Sequence, residues 1–216
     1  TLSFGSLFSL LINIIVLIVF SRVYSKEHFG DYAIFVSVAS LLSILCTFRI
    51  EHLIVLKKTN REAALLSKLC KKIINYFTCI VFCFSILLYI SSVPFFNKSS
   101  FTWFLIPISV FCFSNIIIFL SWNNKIKNYK LISKFKIVQS LSVGLIGIVF
   151  SFLSKDFGLI IAYVFGLITS YILFNFRYKK FIKKYDFNPI KINDIKTVFL
   201  ENKRYIKTSF GLEFFN

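Results

Sequence analysis

The stretch Ala33-Ile-Phe-Val-Ser-Val-Ala-Ser-Leu-Leu-Ser-Ile-Leu-Cys-Thr-Phe48 decides the fold, together with Arg49-Ile-Glu-His52 and Leu53-Ile-Val-Leu56 behind it. Read as one helix, these 24 residues extend about 36 Å at roughly 1.5 Å per residue. That is enough to cross a hydrocarbon core about 30 Å thick. Arg49, Glu51 and His52 interrupt the run near one end. Charge at that depth is costly against lipid, so these side chains are expected to face protein, a water-filled cavity or headgroups. Two readings follow. Either the helix continues to Leu56 and Arg49 is a cationic contact on a transport path, or it stops at Phe48 and Arg49 snorkels to the interface.

Outward from this stretch the pattern repeats. Of the 216 residues, 57% are hydrophobic and 19% aromatic, and the mean hydropathy is +0.77. Soluble domains are roughly 45–50 % apolar, and here the excess comes in blocks. Six apolar helices are expected, over residues 4–23, 33–48 or 33–56, 73–93, 101–122, 137–153 and 159–176, with a seventh beginning near Tyr205. Each complete run has spanning length, so the fold class is all-α, a polytopic membrane helix bundle. The first run is too long for a signal-peptide core and has no small-residue cleavage site after it. With no methionine, and with Thr1 directly before an apolar run, the chain reads as a fragment lacking its start.

A net charge of +17 would point to nucleic acid in a soluble protein. Here the bases lie between apolar blocks, where they set topology, and no nucleic-acid partner is expected. The links after the second, fourth and sixth helices hold 22 of the 26 Lys and Arg. Those links belong in the cytoplasm, which puts the first helix's start there too. The link 57–72 is expected to lie as an amphipathic segment on anionic headgroups. Residues 177–204 read as a basic cytoplasmic connector and 205–216 as the start of a seventh helix, leaving 1–176 as a six-helix lobe.

Within the helices, Ser6, Ser9 and Asn13 form a polar stripe suited to helix contacts or a wet cavity. Arg22 is about half a turn out of phase with it. Ser25 and Gly30 bracket what looks like a single capped turn. Pro94 should end the third helix and Pro107 should kink the fourth. Small faces stand out on the last two helices: Ser140, Gly144, Gly147 and Ser151 on one, Gly158, Ala162, Gly166 and Ser170 on the other. Such faces allow close backbone approach, and a tight antiparallel hairpin of these two helices is expected.

No Gly-rich phosphate loop, metal-ligand set or nucleophile elbow appears, so neither an enzyme nor a bound cofactor is expected. The five cysteines lie in or beside apolar runs and read as small buried hydrophobes. None of the nine acids lies at the centre of a complete helix. Coupling to a cation would fall to Glu51, Glu213 or residues elsewhere.

Two segments carry a family likeness: Ser21-Arg-Val-Tyr-Ser-Lys-Glu-His-Phe-Gly-Asp-Tyr-Ala33 and Thr47-Phe-Arg-Ile-Glu-His-Leu-Ile-Val55. Together they resemble the start of the O-antigen and polysaccharide flippases, within the multidrug/oligosaccharidyl-lipid/polysaccharide exporter superfamily. The segments Tyr129-Lys-Leu-Ile-Ser-Lys-Phe-Lys-Ile-Val-Gln-Ser140 and Lys203-Arg-Tyr-Ile-Lys207 look similar too, and the likeness covers essentially the whole chain. Lys26 departs from it, since the family often has proline after that serine.

The resemblance implies the N-terminal lobe of a two-lobe exporter in the bacterial inner membrane. Its substrate would be a polyprenyl-pyrophosphate-linked oligosaccharide, with membrane lipids and other polysaccharide-assembly proteins as partners. Arg22 and Arg49 match the family's cavity-facing arginines, suited to bidentate phosphate contacts. Glu51 would orient or neutralise Arg49, and Asn13 would join the site. Two alternatives are a cation-coupled multidrug exporter, which needs a membrane-embedded carboxylate, and a non-transporting scaffold of a glycan-synthesis complex.

Overall fold

The computed structural model describes residues 2–90, 100–153 and 157–182. Among these residues every regular element is helical: α1 (Leu2–Val23), α2 (Lys26–Thr47), α3 (Glu51–Leu56), α4 (Asn60–Ile90), α5 (Ser100–Lys125), α6 (Tyr129–Leu153) and α7 (Gly158–Ile182). By length and composition α2, α4, α5, α6 and α7 can each cross a membrane, and α1 adds a shorter apolar stretch, Leu7–Val23. The chain is a polytopic helical bundle. Pro94, the connector beyond residue 182 and the seventh helix lie outside the described residues.

The 33–56 helix is broken. Phe48 (φ 47°) and Arg49 (φ 60°) both take left-handed backbone, and the Phe48 amide closes α2 on the carbonyl of Ile44 at 3.1 Å. Left-handed backbone costs a side-chain-bearing residue of order 1–3 kcal/mol unless its surroundings hold it there. The surroundings here are α4 and α5, against which the short α3 packs. Of the two readings, only the helix end near Phe48 is settled by this break. Lys125 adds a cap by donating from Nζ to the carbonyl of Lys57, with the carbonyl of Val55 3.4 Å away. A cation suits a helix's C-terminal carbonyls.

Two further local expectations are corrected. Ser25 does cap α2, accepting the His28 amide at 3.4 Å, but Gly30 ends nothing; it has no positive φ and the helix continues through it to Thr47. The segment 57–72 is not a separate surface element, because from Asn60 onward it forms the first turns of α4. Its bases ride on one side while Ala63, Ala64, Leu66, Leu69 and Cys70 are buried on the other, against protein rather than headgroups. Of the cysteines, Cys46, Cys70 and Cys112 are buried as expected, whereas Cys79 and Cys83 are exposed on α4.

The core sits around α5, which packs against α2, α3, α4, α6 and α7. Val110, Ile116, Ile118, Phe119 and Trp122 are buried there, and α5 runs unbroken through Pro107. Three of its buried polar side chains bond back onto their own helix: Ser109 to the Leu105 carbonyl, Asn115 to that of Phe111, Asn123 to that of Phe119, at 2.8–2.9 Å. In lipid each polar group needs a partner inside the protein, and the carbonyl four residues back supplies one without a second helix. The α4 and α7 helices are tied by Lys71, whose Nζ donates to Asn175 Oδ1 at 3.2 Å and lies 3.7 Å above the Tyr178 ring.

Candidate functional site

A different seam joins α1 to α6. These two helices run parallel, fixed by a ladder of contacts. Ser9 Oγ and Ser140 Oγ are 3.0 Å apart and buried. One turn on, Val16 occupies the space a side chain at Gly144 would need, since a Cβ there would lie 2.6 Å from Val16 Cγ2. Further along, the Phe20 ring fills the space over Gly147, and Tyr24 donates its hydroxyl to the Gly147 carbonyl at 2.7 Å while lying beside Gly158. The tyrosine sits in the link between α1 and α2, and burial pushes its phenol pKa up.

The small face of α6 therefore receives α1. The α6–α7 hairpin does pack closely, but through Gly166, over which Val143 of α6 lies. Along the same faces Ser151 is buried and bonded to the Ile148 carbonyl at 2.6 Å, and Ala162 and Ser170 are fully buried.

Because α1 leans mainly on α6, a cleft of about 610 Å³ remains between α1, α2, α6 and α7. That volume lies within the roughly 300–1,000 Å³ of small-molecule sites. One end of the cleft is polar, with Ser9, Asn13, Lys136, Gln139 and Ser140. Its other end is aromatic and apolar: Phe20, Phe29 and Leu159, with Tyr32 and Tyr163 edge-to-face at 5.9 Å. Asn13 is thus in the cleft wall. Arg22, Arg49 and Glu51 are not among its lining residues.

Arg22 is exposed near the end of α1. Arg49 is half-buried at the α2–α3 break, and its Nη1 donates to His52 Nε2 at 2.8 Å. Glu51 is only 2% exposed, and its Oε2 has no hydrogen-bond partner. The resemblance has Glu51 orienting Arg49, whereas the side-chain hydrogen bond seen here joins Arg49 to His52. A carboxylate oxygen buried with no partner is costly, which makes Glu51 the most unusual polar group of the core.

Sequence reading passed over Lys136, Gln139, Tyr32 and Tyr163. A signal for the first was present: Lys136 is in phase with Ser140 and Gly144, at intervals of four. It was masked by membership in a basic link.

The long apolar helices, the in-helix satisfaction of their polar groups and the recessed polar cleft define a multi-pass membrane protein. Over residues 1–216 the chain matches the family model described as polysaccharide biosynthesis protein, and it belongs to that family. Neither the curated proteins nor the solved structures contain a match to it.

Proposed function

We propose that the protein is a flippase for a polyprenyl-pyrophosphate-linked oligosaccharide. It carries this substrate from the cytoplasmic to the outer leaflet of a bacterial inner membrane by alternating access. Residues 1–176 act as the N-terminal lobe, 177–204 as a cytoplasmic connector and 205–216 as the start of the second lobe. The observation that carries this reading is the family match over the whole chain. A polar cleft recessed among spanning-length helices supports it, because a sugar headgroup crosses lipid only inside a wet, hydrogen-bonding path.

Arg22 and Arg49 are the phosphate contacts in this reading. A guanidinium stays charged in a partly dry site and meets phosphate oxygens in pairs. The Arg49–His52 contact holds the guanidinium when no substrate is bound, and Glu51 is the candidate coupling group for a cation. The test is surface glycan in cells whose only copy is Arg49→Ala. Loss of surface polysaccharide at normal membrane levels of protein is expected, with Arg49→Lys intermediate. Wild-type surface glycan in Arg49→Ala cells would remove this arginine from the mechanism.

A further inference from the structure

Along its length α7 touches three different parts of the bundle. Near its start Leu159 and Tyr163 stand in the cleft wall. At its middle it approaches α6 closely, where a Cβ at Gly166 would lie 2.4 Å from Val143 Cγ2. Beyond that point the Phe174 ring packs on Phe119 of α5 and Phe135 of α6, at 5.1 Å each. Its last turns reach α4 through polar side chains. Lys71 Nζ donates to Asn175 Oδ1 and lies over the Tyr178 ring. The Tyr178 hydroxyl lies beside Ser67, one turn earlier on α4.

The tie to α4 differs in kind from the others. Ring packing holds α7 to α5 and α6 by shape, whereas Lys71 holds it to α4 through one ammonium. A charged hydrogen bond and a cation over a desolvated ring are among the stronger polar contacts. Behind the ammonium, a cavity of about 10 Å³ lined by Lys71, Asn115, Asn175 and Tyr178 has room for a single water. A water there can take the place of Asn175, so the tie opens without stripping the ammonium bare. Phe176 lies ten residues beyond Gly166 and Ile161 five before it. At roughly 1.5 Å per residue these arms are about 15 and 7.5 Å, so a stiff α7 rocking at Gly166 moves its cleft end about half as far as its far end.

We infer that Lys71 is a positioning residue that sets the stance of α7 and, through it, the width of the cleft between α1, α2, α6 and α7. With the ammonium on Asn175 and Tyr178, the far end of α7 is held to α4 and Tyr163 keeps its place against Tyr32. With that tie open, α7 rocks on the Gly166–Val143 contact and the cleft wall shifts. The bearing on transport rests on the flippase reading; the effect on the cleft does not.

Electron double-resonance distances in the full chain in nanodiscs test this, using genetically encoded spin labels that leave the cysteines in place. One pair, Tyr76 on α4 with Phe176 on α7, reads the far end. A second, Ile15 on α1 with Ile161 on α7, reads the cleft. Wild type should give one distance for each pair. Lys71→Met keeps the stem and loses the charge. It should add a longer distance for the first pair and a shift about half as large for the second. Lys71→Arg, which keeps charge, donors and stacking, should restore the wild-type distances. Asn175→Leu, which leaves the lysine in place, should add the same second population in smaller amount.

Unchanged distances in Lys71→Met and Asn175→Leu would overturn the inference, even if both variants unfold at lower temperature. A far end that moves while the 15–161 distance stays fixed would also overturn it, because α7 would then fray instead of rocking. The distances are read without transport, so the two claims fail separately. Surface glycan lost on gene deletion, with fixed distances in Lys71→Met, sinks the clasp and spares the flippase. Normal glycan in deleted cells, with distances that depend on Lys71, does the reverse.

Discussion

α1 and α5 are both long apolar helices, yet they occupy opposite surroundings. Val110 and Ile118 of α5 are fully buried, while Ile15 of α1 is 61% exposed. Five helices pack around α5, whereas α1 leans mainly on one. Hydrophobicity marks both as membrane-compatible but does not say which becomes the hub. Neighbours decide that, and α5 tolerates them partly because Ser109, Asn115 and Asn123 bond inside their own helix. The lesson is a division of labour: a close-packed hub around α5 and a seam at α1–α6 that leaves a cleft open beside it.

The sharpest way to break the contrast is at the seam's tightest point. Gly147→Leu has no room under the Phe20 ring and should destabilise by about 3 kcal/mol, at the upper end of ordinary overpacking. Thermal unfolding of the purified protein would read this. The loss should be much smaller for Gly30→Leu, since a Cβ at Gly30 meets nothing within 4 Å.

In the hub the next largest effect has the opposite sign. Glu51→Gln keeps the shape and removes a buried charge whose Oε2 has no partner. It should raise stability by about 2 kcal/mol while lowering surface glycan, the usual exchange where a functional group is held at a cost to the fold. A destabilised variant would show that the carboxylate is structurally satisfied.

Smaller effects sharpen the picture. Tyr24→Phe removes the 2.7 Å bond to the Gly147 carbonyl and should cost about 1 kcal/mol in thermal unfolding. Ser25→Ala removes a long N-cap contact of 3.4 Å and should cost about 0.5 kcal/mol, the low end for such caps. If Ser25→Ala cost more than Tyr24→Phe, the Tyr24 hydroxyl would not be one of the contacts that hold the α1–α6 seam.

Much of the fold was legible because membrane length and hydropathy are coarse, additive signals. The helices over 137–153 and 159–176 match α6 and α7 apart from added turns at the ends that join the basic links. In the sequence, a break at Phe48–Arg49 is only one of two readings. Neither residue is Gly or Asn, and the left-handed turn is imposed by packing of α3 on α4 and α5. The basic link 57–72 hid a helix because its charges outweigh Ala63, Ala64 and Leu66 in any average, although those three share a buried side.

The stripe Ser140, Gly144, Gly147 announced close approach but not its partner: small residues specify a distance, and Val16 and Phe20 of α1 are what fill it. The candidate site was legible at Asn13. Lys136 and Gln139 enter the cleft wall only once α1 and α6 are known to run side by side.

The most direct test of the central claim is the leaflet in which lipid-linked glycan resides. In cells lacking the gene, polyprenyl-pyrophosphate-linked oligosaccharide should accumulate where only a cytoplasmic-side probe reaches it in membrane vesicles of known orientation. The wild-type gene should restore exposure on the outer face. Outer-face exposure at wild-type levels in the deleted cells would contradict the account.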